Sequence, residues 1–120
     1  MNDRRSEAEA LLPLPPATLH ILMSLADGDR HGYAIIQEIA GRTGGQVRLG
    51  AGTLYRSIGR MLEQGLIEEL RERPSPENDD ERRRYYRITP FGAAVARAEA
   101  RRLQDLVKLA RASGFVTRNA

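Results

Sequence analysis

Between Ala17 and Gln64 the chain carries apolar residues at helical spacing in three successive segments, each closed by a glycine-bearing turn, and two short β-forming runs follow at once across a polar loop. Periods of 3.6 and 2 cannot be exchanged for one another, because they put the apolar residues on different faces of the backbone. The order helix, helix, helix, hairpin, with a long final helix, therefore leaves few architectures open. The fold expected is mainly α with a small β-hairpin.

The first helix is predicted from about Ala17 to Ala26, entered through Pro15 and Pro16 and striped by Leu19, Leu22, Met23 and Ala26. Asp27-Gly28-Asp29 ends it. The second runs from His31 or Gly32 to about Arg42, with Asp29 as the expected N-cap and Tyr33, Ile36, Ile39 and Ala40 as its stripe, broadened by Ile35. After the glycines at 41, 44 and 45, Gln46 to Leu49 reads as a very short extended piece. The third helix covers Ala51 to Gln64, with Leu54, Ile58, Met61 and Leu62 inward and Gly65 at the left-handed C-terminal position. Gly59, inside that helix, is expected to mark a close approach of another backbone.

Leu66 to Arg73 and Arg84 to Thr89 form the hairpin, and Pro74 to Arg83 is its long exposed loop. Side chains alternate along a strand, so one of Tyr85 and Tyr86 should enter the core and the other face outward. Thr89 and Pro90 suit the N-cap and first position of a last helix that ends at Gly114.

Composition narrows the chemistry. The 120 residues suit a single domain, and 41% hydrophobic with 29% charged residues is a globular balance. No cysteine is present, which removes disulfides, thiolate metal sites and cysteine nucleophiles. With His20 and His31 the only histidines, a multi-histidine metal site is excluded within one chain. Gly41 to Gly45 lacks the Lys-Ser/Thr of a phosphate loop, and no nucleophile–base pair is evident, so an enzyme is not expected and no cofactor is implied. No apolar run approaches the roughly 18 residues of a membrane span, and the N-terminus does not resemble a secretion signal, so a cytoplasmic protein is expected. The net charge of +3 permits nucleic-acid binding without demonstrating it.

Three helices followed by a hairpin match a winged helix-turn-helix, in which the third helix lies in the major groove of double-stranded DNA. Its outer face carries Thr53, Arg56, Ser57 and Arg60, with Tyr55 at the edge, and these five become the candidate DNA contacts. Arginine can hold guanine through two bonds, and hydroxyls suit phosphates or base edges. In the wing loop, Arg82 and Arg83 are candidate phosphate contacts, beside the acids Glu77, Asp79, Asp80 and Glu81. In the last helix, Phe91, Val95, Leu103, Leu106 and Leu109 are candidate dimerisation residues, with Arg97, Glu99, Arg101, Arg102, Asp105 and Lys108 at the rim. The domain division expected is 1–13 a polar, flexible segment, 14–90 the winged helix-turn-helix, 91–113 the dimerisation helix and 114–120 a tail.

The run His31-Gly32-Tyr33-Ala34-Ile35-Ile36-Gln37-Glu38-Ile39 resembles the second-helix motif of the PadR family of bacterial transcriptional regulators. So do Gly52-Thr53-Leu54-Tyr55, with Arg60-Met61-Leu62-Glu63-Gln64-Gly65-Leu66-Ile67 after it, and Arg83-Arg84-Tyr85-Tyr86-Arg87-Ile88-Thr89-Pro90-Phe91-Gly92 at the second wing strand. Together they cover about Leu14 to Ala94 in the family's order. The resemblance implies a homodimer that binds an inverted repeat, usually as a repressor, and dimerises through the C-terminal helix with help from the N-terminal segment. The chain departs from the family's pattern at Arg56, where proline is common, and in its long acidic wing loop.

The function expected is a dimeric DNA-binding repressor, released in one version by a small-molecule effector. A competing reading keeps the fold and makes it a protein-interaction module without DNA binding.

Overall fold

A computed structural model describes residues 3–70 and 84–117, with side chains from Arg5 onward. Five helices and three strands follow one another as α1 (Asp3–Ala10), α2 (Pro16–Ser24), β1 (Arg30–His31), α3 (Gly32–Arg42), α4 (Ala51–Glu63), β2 (Ile67–Leu70), β3 (Tyr85–Ile88) and α5 (Pro90–Ala112). The winged helix-turn-helix expected from the sequence is the fold of the chain. No helix among the described residues is long and apolar enough to cross a membrane.

One core unites the elements. Ile21, Leu22 and Leu25 meet Ile35 and Ile39 of α3 and Leu54, Ile58 and Met61 of α4, with Leu66, Ile67, Tyr86 and Val95 closing it from the sheet and α5. The stripes of α2 and α3 are rotated from those the spacing suggested. In α2 the buried residues are Thr18, Ile21, Leu22 and Ser24, while Met23 is exposed. In α3 they are Gly32, Ile35 and Ile39, and Tyr33 is 63% exposed. A short helix with apolar residues nearly all round offers several candidate stripes, and packing chooses among them. The Ser24 hydroxyl survives inside the core because it donates to the Ile21 carbonyl oxygen at 2.7 Å.

The helix ends explain where each element stops. His31, not Asp29, caps α3: its Nδ1 accepts from the Ala34 N–H at 3.2 Å. Asp29 is instead spent on Arg87, 3.1 Å away. Gly65 takes the expected left-handed conformation after α4 (φ 77°), which lets the Leu66 N–H reach back to the Met61 carbonyl oxygen at 3.0 Å. Thr89 then does three things at once. Its hydroxyl donates to the Gly65 carbonyl oxygen at 2.6 Å and accepts from the Gly92 N–H at 2.9 Å, and its own N–H donates to the Leu66 carbonyl oxygen at 3.1 Å. The end of α4, the wing and the start of α5 are thereby locked together.

The sheet has three strands, ordered β1-β3-β2 and antiparallel throughout. Arg30 and His31 add a third strand to the expected hairpin, pairing with Tyr86 and Tyr85. Gln46 to Leu49, expected as extended, joins no strand. Tyr86 points into the core and Tyr85 outward, where its ring stands edge-on to His31 with centroids 5.3 Å apart. Burial, with Glu69 adding to it, pushes the Tyr86 hydroxyl above its ordinary range.

Two expectations about the ends of the chain are revised. Asp3–Ala10, read from sequence as part of a polar, flexible segment, is a helix that packs on α5 and buries Ala8. Glu99, expected at an exposed rim, is 2% exposed. It accepts from the Leu14 N–H at 3.0 Å and from the Arg102 guanidinium, which holds its carboxyl below the usual carboxylate range. Helical periodicity placed Glu99 outside because α1 and the Leu12–Pro16 stretch, which cover it, gave no signal that they would dock there.

Candidate nucleic-acid interface

α4 is the element with the sharpest division between faces. Leu54, Ile58 and Met61 are buried, whereas Thr53, Tyr55, Arg56 and Arg60 are exposed and Ser57 is half-buried. The division arises because the apolar residues fall three or four apart, so one side docks on α2 and α3 and the other has no neighbour. Gly59 stands on the open side with nothing near it, so it marks no close backbone approach within the chain. A small residue there keeps the outer face low between Arg56 and Arg60.

The outer face is positive by omission of acids. No acid lies in the first turn of α4, and its N-cap Gly50 offers no side-chain hydrogen bond to the first N–H groups. Those N–H groups and the helix dipole favour an anion at this end. Glu63 sits at the far end. Arg56 bonds only weakly within the helix, Nη2 to Thr53 Oγ1 at 3.4 Å.

Most other arginines are neutralised. Arg30, Asp27, Arg42 and Glu38 form a closed ring across the α2–α3 turn, with Arg30 3.4 Å from Asp27 and 3.1 Å from Glu38, and Arg42 3.3 Å from Asp27. Glu38 and Asp27 hold the Arg42 guanidinium charged above even its ordinary range. At the base of the wing Arg84 meets Glu69 at 3.5 Å, and Arg87 meets Asp29 at 3.1 Å and Glu68 at 3.8 Å. Among the described residues Arg48, Arg56 and Arg60, on or just before α4, make no ion pair, and neither do Arg97, Arg101 and Arg111 of α5. Arg82 and Arg83, expected at the wing tip, lie outside the described residues.

Tyr55 is 53% exposed, and its ring leans over the start of α3. A Cβ on residue 32 would stand 2.9 Å from the Tyr55 ring carbon Cζ, so Gly32 is the space in which that ring rests. Tyr33, beside it, was expected in the core and is instead on the surface. Tyr55 thus leans over the start of α3, where Tyr33 follows Gly32 on the surface. Sequence reasoning missed Tyr33 and Arg48; the signal available for Arg48 was a cation two residues ahead of the N-cap.

The candidate dimerisation residues divide. Val95 is fully buried in the chain's own core and has no surface to offer a second copy, and Phe91 is half-buried against the same core. Leu103, Leu106 and Leu109 are exposed, as are Val107 and Phe115. From Leu103 to Ala112 every side chain is exposed except the half-buried Ala110. The first half of α5 is thus a core helix, and the second half projects beyond it.

Comparison with known proteins gives a consistent picture. Residues 21–98 match the family model described as the transcriptional regulator PadR-like family. The chain is 37% identical over 91 residues to a transcriptional regulator of Mycobacterium tuberculosis, covering 75% of this chain and 78% of that protein. It is 34% identical over 107 residues to an uncharacterized 37.1 kDa protein in a transposon of Streptomyces fradiae, covering 87% of this chain but only 26% of that protein. The chain thus spans about a quarter of the transposon protein's length. Among solved structures, a transcriptional regulator from Clostridium thermocellum superposes with a TM-score of 0.70 at 28% identity, covering 84% of this chain and 90% of that one.

Proposed function

The chain belongs to the PadR-like family of transcriptional regulators, and from that premise we propose that it is a dimeric repressor whose two copies of α4 enter successive major grooves of an inverted-repeat operator. Its class is that of DNA-binding regulators and not of enzymes. The observation that carries the finer reading is the distribution of unpaired cations. Within residues 14–90 the described arginines left without an acid, Arg48, Arg56 and Arg60, gather at α4, where a DNA contact would need them, and Arg30, Arg42, Arg84 and Arg87 are consumed in ion pairs.

Within α4, Arg56 and Arg60 are proposed to read base edges, and Thr53, Tyr55 and Ser57 to bond phosphates or bases. Arg82 and Arg83 of the wing are proposed as backbone contacts. Residues 14–90 form the DNA-binding unit in this reading, and the second half of the helix in 91–113 joins two copies. An isolated helical segment of that length is marginal in water, and its leucines gain stability only against a partner surface. Leu103, Leu106 and Leu109 are the proposed seam, and a small-molecule effector that releases the repressor would act there.

The test is fluorescence anisotropy with the upstream DNA of the protein's own gene and a scrambled duplex at two salt concentrations. Tight binding to the upstream duplex alone, weakened by salt, is the expected result. Absence of binding to either duplex at low salt favours the second reading, recognition of another protein through the same fold, to which the acid-paired arginines at the base of the wing lend support.

A further inference from the structure

We propose that Arg48 is a phosphate-clamping residue that sets how α4 is seated on DNA, an inference that rests on the DNA-binding reading above. Arg48 lies in the loop joining α3 to α4, two residues ahead of the Gly50 N-cap. Its neighbours Val47 and Leu49 pack against the core, so the residue between them is turned to solvent.

The loop that carries it is fixed. Gly45 donates to the Ala40 carbonyl oxygen at 2.7 Å, and Gln46 donates to that of Thr43 at 3.1 Å. The Thr43 hydroxyl donates to the Ile39 carbonyl oxygen at 2.9 Å and accepts from the Val47 N–H at 3.0 Å. The guanidinium is seated too. Gly45 has φ 82°, and a Cβ there would stand 3.0 Å from Arg48 Nη2, so the guanidinium rests over bare backbone. A cation held on a stiff loop loses less freedom on binding than one on a mobile chain.

Arg48 is exposed and makes no ion pair among the described residues. The chemistry that matches an unpaired, forked donor at this place is a phosphodiester oxygen pair. Bases are not its target, because the N-terminal residues of α4 reach into the groove ahead of it. The loop stays at the rim, where the sugar–phosphate strand runs.

The experiment is the salt dependence of binding to a labelled duplex of scrambled sequence and to the upstream duplex, using the full chain. Arg48→Ala is expected to weaken both duplexes by the same factor and to reduce the slope of log K against log salt by about 0.9 for each chain bound, hence about 1.8 for a bound dimer. Arg48→Lys should restore the slope, and Arg101→Ala, an exposed charge on α5, should leave it unchanged. An unchanged slope in Arg48→Ala overturns the inference, as does a loss confined to the upstream duplex. If the wild-type protein binds neither duplex, the DNA-binding reading fails first and this inference falls with it.

Discussion

Gly92, in the first turn of α5, lies flat against the backbone of Leu66: a Cβ on residue 92 would stand 2.9 Å from the Leu66 carbonyl carbon and 3.1 Å from Ile88 Cγ1. The contact is backbone on backbone, so no side-chain rotation can relieve it. It is the point where the end of α4 and the root of the wing are held to α5.

Gly92→Ala should therefore destabilise the fold by about 1–3 kcal/mol, the usual cost of forcing a methyl into a filled space. Urea denaturation measures it. A midpoint equal to that of the wild type would mean that the start of α5 can slide away from Leu66, and that the lock around Thr89 is weaker than its hydrogen bonds indicate.

Glu99 ties the N-terminal stretch to α5 through the Leu14 N–H, and Arg102 holds its carboxyl below the usual carboxylate range. The folded carboxyl binds its proton less tightly than the unfolded one. Its stabilisation is then fully present above the unfolded value of about 4.3 and is lost as pH falls through the depressed folded value. Glu99→Ala should cost about 1–3 kcal/mol at neutral pH by leaving the Leu14 N–H without its partner. Glu99→Gln should flatten the acid limb of the stability profile, and an unaltered limb in that variant would assign acid unfolding to other carboxyls.

Leu106→Asp places a charge in the exposed stripe of α5 without touching the core, since Leu106 is 47% exposed in the single chain. The expected outcome is a folded monomer by sedimentation, with an unchanged circular dichroism spectrum and weakened operator binding. A wild-type protein that sediments as a monomer at every concentration would remove the dimer from the proposed function.

Arg56→Ala should lose about 1–3 kcal/mol on the preferred duplex and little on a scrambled one if Arg56 reads a base. An equal loss on both sequences would make it a phosphate contact. Arg56→Pro, which puts there the residue that the family resemblance leads one to expect, is the informative companion. It is expected to lower stability by about 3 kcal/mol in urea denaturation, because proline at this interior position of α4 removes a backbone hydrogen bond.

The sequence by itself determined the order α2, α3, α4, hairpin, α5 and the inner face of α4, because spacings of four and three from Leu54 to Ile58 to Met61 allow only one side of a helix to be buried. It determined the close of α4 at Gly65 and the cap of α5 at Thr89, both local chemistry within a few residues of chain. Tertiary structure decided what depends on distant partners. His31 displaced Asp29 as the cap of α3 because Arg87, 58 residues away, claimed the aspartate. Arg30 and His31 became a strand because β3 had a free edge. Val95 and Glu99 went inward, and Leu103 onward stayed outward, because α1 and α2 cover only the first half of α5. Local periodicity fixes which residues share a face, but which face is covered, and how far along, is set by segments that meet only once the chain has folded.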